Sequence, residues 1–129
     1  MRQCLWRWFP PLAWMGLIFV ASAQPTLPQA PDPWLDTLLK KTGHALAYGV
    51  LARLYLRALR GRFRDERTLY AASVGLAIAY GLSDEYHQTF VTGRNGALFD
   101  VVIDGVGAGA AMLLDWRRRE PARRSDDVQ

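Results

Sequence analysis

The stretch at residues 68–88 reads TLYAASVGLAIAYGLSDEYHQ. It carries no charge until residue 84, and it then places two acids, a histidine and a glutamine within five residues. Alanine, leucine, glycine and tyrosine predominate, and the strict alternation of a strand is absent, which predicts a helix over the whole stretch. Its length is within the roughly 17 to 25 residues that a helix needs to span a bilayer.

Three further segments have the same apolar character, at residues 5–23, 43–59 and 98–114. Pro10 and Pro11 suit the start of the apolar part of the first segment. The mean hydropathy of −0.05 is typical of a soluble protein. The charges are bunched between the apolar segments, however, so local windows are more informative than the mean. We therefore predict a single all-α domain over residues 1–129, a bundle of four transmembrane helices followed by a cytoplasmic tail at 115–129.

The arginines predict the orientation of this bundle. They precede the first segment, crowd the connection between the second and third, and follow the fourth, whereas the other two connections hold few basic residues. The positive-inside rule then places both termini, and the loop between the second and third segments, in the cytoplasm. An alternative stays open: residues 1–23 also fit a signal peptide ending in an Ala21-Ser22-Ala23 cleavage site, which would leave three spans.

Composition limits the partners. The net charge of +4 and the pI near 9.6 come from basic blocks beside apolar segments, and no Gly-rich phosphate loop or zinc-finger spacing occurs. We therefore expect the lipid bilayer as a partner and no nucleic acid. Cys4 is the single cysteine, so an intramolecular disulfide is excluded.

With this topology, polar residues of three helices lie at one depth near the outer surface. Asp100 and Asp104 are spaced i, i+4 and share a helix face. Asp104 lies inside a span, where an ionisable group is costly, so we expect it to be protonated or paired with Arg94 or Lys41. The predicted ligand-binding residues are Lys41, His44, Asp84, Glu85, Gln88, Arg94, Asp100 and Asp104, and the candidates for catalysis are His44, Glu85 and His87.

Several interpretations of this polar group remain open. It could be a hydrogen-bonded network that holds the bundle together, a histidine–carboxylate centre for acid–base chemistry, or a recognition site for a phosphate or carboxylate. The local spacing D-E-x-H-Q differs from the H-x-x-x-H and H-E-x-x-H patterns of helical metal sites, so no metal and no cofactor is expected. Gly105 and Gly109 form a G-x-x-x-G that predicts close helix packing.

The segments KTGHALAYGVL at 41–51 and GLSDEYHQTFVTGRNGALFDVVIDGVGA at 81–108 resemble the VanZ-like family. That family is marked by K-x-x-H opening one helix, D-E-x-x-Q ending another, then an arginine, an aspartate and a D-x-x-x-N-x-x-G helix. This chain departs from the pattern at Lys40, where the family usually has aspartate, and at Asp104, where it usually has asparagine.

The resemblance implies a small bacterial integral membrane protein of the cell envelope, which we expect to be a multi-pass protein of the inner (cytoplasmic) membrane. The founding member of the family is associated with teicoplanin resistance, and the family has no generally assigned reaction. We therefore expect an outward-facing site that binds a lipid-linked or cell-wall-related ligand. The alternatives are a membrane-embedded hydrolase or transferase, with or without a metal ion, and a structural or assembly partner. The oligomeric state stays open.

Overall fold

The computed structural model describes residues 2–24, 31–92 and 98–126, with side chains from residue 5 to residue 119 within those ranges. The described residues form four helices and no strand, which confirms the all-α prediction. The helices are α1 (Arg2–Ser22), α2 (Pro33–Leu59), α3 (Glu66–Gln88) and α4 (Leu98–Asp126).

Two of the helices are longer than the apolar segments that predict them. The helix α2 begins ahead of residue 43 because Asp32 caps it: its carboxylate accepts the Trp34 backbone N–H at 3.0 Å, and Pro33 occupies the first turn. The helix α4 continues to Asp126, through most of the segment 115–129 that was expected to be a tail. The prediction that α3 continues through Gln88 is confirmed.

A short turn joins α2 to α3. Gly61 adopts φ +83°, which a residue with a side chain rarely takes, and so reverses the chain after α2. Asp65 then caps α3, accepting hydrogen bonds from the Thr68 backbone N–H at 2.8 Å and the Thr68 hydroxyl at 2.7 Å. These hydrogen bonds hold the pKa of Asp65 below its ordinary value, because they favour the charged carboxylate.

Consecutive helices of the bundle are antiparallel. The helix α2 packs most extensively on α4, α3 packs on both, and α1 lies mainly against α2. The Trp14 indole donates to the Ala47 carbonyl at 2.9 Å, and the Tyr80 hydroxyl donates to the Met15 carbonyl at 2.6 Å. These two bonds fasten the middle of α1 to α2 and α3.

The helices α2 and α4 approach each other closely at Gly107. A Cβ on Gly107 would overlap the backbone of Ala45, and a Cβ on Gly49 would lie 3.1 Å from the Gly107 carbonyl. By contrast, Gly109 has no neighbouring atom within 4 Å of the place for a Cβ, and Gly105 meets only the side chain of Ile78. The prediction that Gly105 and Gly109 permit the close packing is therefore wrong in detail, because Gly107 faces α2.

The bundle buries several polar residues beside its apolar core and exposes many large apolar residues. The buried polar residues include Ser73, Asp84, Glu85, Gln88, Asp104 and Asp115, while all four helices expose large apolar side chains, such as Leu5, Phe9, Leu46, Leu76, Val106 and Leu113. Across the described ranges, no helix meets the combined requirement of length and apolar character for crossing a membrane. Membrane insertion therefore stays a prediction.

Candidate functional site

Three helices contribute to one buried polar cluster, defined here as His44, Asp84, Glu85, Gln88 and Asp104. The first lies on α2, the next three on α3 and the last on α4. The imidazole Nδ1 of His44 lies 3.2 Å from Oδ1 of Asp104, and only 1% of the Asp104 surface is exposed. Among the described residues Asp104 therefore pairs with His44 rather than with Lys41. The predicted partner Arg94 lies outside the described residues.

Gln88 ties the α3 members of the polar cluster together. Its side-chain amide donates to Oδ2 of Asp84 and to Oε1 of Glu85, both at 3.2 Å. The three residues occupy positions i, i+1 and i+4 of one helix, so the amide reaches both carboxylates from the next turn. Because Gln88 is itself buried, this arrangement restricts the rotamers of both acids.

Tyr48 and Gly81 shape the wall beside Asp104. The Tyr48 ring is nearly parallel to the His44 imidazole, at 5° with 6.4 Å between centroids. Gly81 leaves room for both neighbours, since a Cβ there would lie 3.3 Å from Oδ2 of Asp104 and 3.3 Å from the Tyr48 ring. The absence of a side chain at residue 81 thus lets α3 approach the acid of α4.

Three oxygens in and beside the polar cluster are buried without a hydrogen-bond partner among the described residues. They are Oδ1 of Asp84, Oδ2 of Asp104 and the Tyr48 hydroxyl. Buried polar atoms are normally satisfied, and each unsatisfied one costs about 1–3 kcal/mol. Such atoms mark a place that suits a polar ligand or an ion.

A cavity of about 530 Å³ leads to the polar cluster from between α1 and the first turns of α2. Its polar lining includes Lys41, His44, Asp84 and Asp100, and its apolar lining includes Ile18. The size is within the roughly 300–1,000 Å³ of small-molecule sites. An apolar wall beside a few convergent charges suits an amphipathic ligand.

The remaining predicted residues lie at different distances from the polar cluster. The Lys41 ammonium lies over the Phe99 ring, 4.5 Å from its centroid, and Asp100 faces the cavity. His87 instead contacts Phe19 of α1, with 4.3 Å between ring centroids. This contact places the His87 ring beside α1, and a catalytic role for His87 stays a prediction. Arg94 lies outside the described residues.

A second polar centre, at the other end of the bundle, was not predicted. The carboxylate of Asp115 accepts hydrogen bonds from the Tyr70 hydroxyl at 2.7 Å, the Arg119 side chain at 2.7 Å and the Arg53 side chain at 3.3 Å, and Arg60 lies 3.8 Å away. A sequence signal exists, because an acid that ends an apolar segment beside several arginines needs a partner.

The charges around Asp115 set its protonation. Burial raises the pKa of Asp115, but the hydrogen bonds from Tyr70 and Arg119 and the positive charges of Arg119 and Arg53 outweigh burial and leave the pKa below its ordinary value. Asp115 is therefore a carboxylate at neutral pH and holds arginines of α2 and α4 together.

These features define an all-α bundle with a buried histidine–carboxylate cluster at one end and an arginine–aspartate centre at the other. The family model described as VanZ/LLP1 matches residues 7–117. Since that range is most of the chain, the protein belongs to the VanZ-like family. Neither a curated protein nor a solved structure shows significant similarity to the chain.

Proposed function

We propose that this protein is a four-span protein of the bacterial inner membrane whose polar cluster faces outward. The exposure of many large apolar side chains, together with the burial of several acids, supports this proposal. All four helices expose large apolar side chains, which lipid would cover, while the acids Asp84, Glu85, Asp104 and Asp115 of α3 and α4 are buried in the bundle. Family membership supports the same placement, because the VanZ-like family is generally membrane-associated.

The two polar centres support the orientation. The polar cluster includes Asp104, and the arginine-rich centre is built on Asp115, eleven residues further along α4 and therefore about 16 Å along its axis. Arg7 at the start of α1 donates to the Arg60 carbonyl at 3.1 Å, so α1 begins at the arginine-rich end. Arginines collect on the cytoplasmic side of membrane proteins, which leaves the polar cluster on the outer side.

We infer that the outward-facing cavity binds a lipid-linked or cell-wall-related molecule. The observation that carries this proposal is the continuity between the cavity and the polar cluster through His44 and Asp84, which belong to both. Lys41 offers a positive charge for a phosphate or carboxylate, and the carboxylates can accept hydrogen bonds from sugar hydroxyls. The apolar lining suits a lipid chain. A contribution to glycopeptide resistance would follow if the bound molecule is a cell-wall precursor.

The test compares binding by the full chain with binding by His44→Ala, Glu85→Gln and Arg94→Ala in lipid nanodiscs. A fluorescent polyprenyl-phosphate lipid serves as the probe, and susceptibility to teicoplanin of cells with and without the protein serves as the readout of resistance. The proposal predicts that the variants insert and fold normally but bind the probe at least about tenfold more weakly, the loss of one charged contact. Folded variants with unchanged binding and susceptibility would defeat it.

The His44–Asp104 pair also favours a second function, acid–base catalysis by a membrane-embedded hydrolase or transferase. A carboxylate beside an imidazole nitrogen can hold the ring in one tautomer and orientation. Under this alternative, release of phosphate from the polyprenyl-phosphate probe would depend on pH and would be lost in His44→Ala. A structural role predicts instead that the same substitutions lower the melting temperature without changing binding.

A further inference from the structure

We infer that His44, Glu85 and Asp104 form a binding site for a divalent metal ion of the zinc class. The three residues each offer a ligand atom, and these atoms all lie within 4.8 Å of one another. Glu85 and Asp104 are buried, and His44 is partly buried. The inference goes beyond the proposed function, because the site would hold an ion whichever molecule enters the cavity.

The ligand types, and the separation between His44 and Asp104, fit zinc. One imidazole nitrogen and two carboxylate oxygens supply three protein ligands, and catalytic zinc sites keep the fourth position for water or substrate. Ligands about 2.0–2.1 Å from a tetrahedral ion lie roughly 3.3 Å from each other. His44 Nδ1 and Asp104 Oδ1 already lie 3.2 Å apart. A carboxylate oxygen of Glu85 lies within 4.8 Å of a ligand atom on each of the other two residues, a separation that binding of the ion would shorten.

The charge balance supports a cation at this place. The polar cluster buries three carboxylates on α3 and α4 against one imidazole, and Oδ1 of Asp84 and Oδ2 of Asp104 have no hydrogen-bond partner among the described residues. Buried carboxylates are costly unless they are paired, protonated or bound to a metal. A divalent ion would neutralise two of these charges.

The surroundings of the three ligands resemble those of protein metal sites, in which a second layer of residues orients the ligands. Gln88 donates to Oε1 of Glu85 and would hold that carboxylate in place, which is the usual role of an outer hydrogen-bond donor. His44 lines the cavity, so an ion bound to it is reached from the cavity. The fourth position can then take a water or an anionic oxygen of the bound molecule.

The local sequence pattern did not predict this site, because each ligand comes from a different helix. Spacings such as H-x-x-x-H place two ligands on one helix and are informative only for that arrangement. Here the close crossing of α2 and α4 at Gly107 brings His44 to Asp104, and Gly81 brings α3 to the same point. The expectation of no metal rested on spacing alone, and the tertiary structure removes that argument.

The first experiment measures zinc binding by the full-length wild-type protein in detergent. The metal-stripped protein is titrated with Zn²⁺ against a chromophoric chelator, and the zinc retained after gel filtration is measured by elemental analysis. The inference predicts about one zinc ion per chain and a higher melting temperature with Zn²⁺ than with EDTA. A folded wild-type protein that retains no zinc and melts at the same temperature in both conditions would overturn it.

The second experiment assigns the ligands. We expect His44→Ala, Glu85→Gln and Asp104→Asn each to weaken zinc binding by at least about tenfold, and Gln88→Ala to weaken it by about 10–100-fold. His87→Ala is the matched histidine control and should bind zinc as the wild type does. Circular dichroism and gel filtration identify the variants that keep the fold. If the folded ligand variants retain wild-type zinc binding, or if His87→Ala loses it equally, the ligand assignment is wrong.

Discussion

The substitution Gly107→Ala tests the helix crossing on which the polar cluster depends. The added Cβ would overlap the backbone of Ala45, the residue next to His44. Because the obstructing atoms belong to the backbone, no side-chain rotation can relieve the overlap, and α2 must move away from α4. The same movement would separate His44 from Asp104, which lies one turn before Gly107 on α4.

The expected magnitude follows from two opposing effects. Overpacking at a rigid contact costs about 3 kcal/mol, the upper end of the usual range, because the contact is with the backbone. Replacing a helical glycine by alanine gains about 1 kcal/mol in helix propensity. Gly107→Ala should therefore lower the free energy of unfolding by about 2 kcal/mol.

Gly109→Ala is the matched control. The position lies on the same helix, and no atom lies within 4 Å of the place for its Cβ. Only the propensity gain applies there, so this variant should be unchanged or stabilised by up to about 1 kcal/mol. The assay is denaturant unfolding of both variants in detergent micelles, followed by circular dichroism. Equal unfolding free energies for the two variants would refute the assignment of Gly107 as the close-contact residue.

Three further outcomes follow from hydrogen bonds in the structure. Asp115→Asn should lower the free energy of unfolding by about 2 kcal/mol at pH 7, since it removes the acceptor charge for Arg119 and Arg53. Because the pKa of Asp115 is lowered in the fold, its contribution to the free energy of unfolding is complete above about pH 4 and is lost as the pH falls through the folded-state pKa. The unfolding free energies of the wild type and Asp115→Asn, measured against pH, should therefore converge below that pKa. Parallel curves for the two proteins would contradict this. Tyr80→Phe removes the hydrogen bond to the Met15 carbonyl and should lower the free energy of unfolding by about 1 kcal/mol. We expect faster proteolysis of α1 in this variant, and protection equal to that of the wild type would contradict the prediction.

The helix content was largely predictable from local sequence. The apolar segment at 68–88 predicts α3 through Gln88, because helix propensity and the run of apolar residues agree along its length. The start of α2 was missed, since the residues before 43 are more polar and the signal there is the Asp32 cap with Pro33 rather than hydrophobicity. Hydrophobicity does not predict the extension of α4 beyond residue 114, because that part of the helix is highly charged.

The composition of the site was less predictable than its location. The motif residues His44, Glu85 and Asp104 do lie together, but their partners depend on which face each helix presents, and a sequence does not show the rotation of one helix against another. That rotation places Gly107 rather than Gly109 against α2, and it turns His87 toward Phe19. Tyr48, one turn after His44, could have been included from its i, i+4 spacing alone.

Thiol labelling in intact cells tests most directly whether the polar cluster faces outward across a membrane. In a Cys4→Ser background, Thr89→Cys places a cysteine at an exposed position just after the cluster on α3, and Arg64→Cys places one in the exposed turn before α3. The four-span orientation predicts that a membrane-impermeant maleimide labels residue 89 in intact cells and labels residue 64 only after permeabilisation. Labelling of residue 64 in intact cells, or of residue 89 only in opened cells, would contradict it.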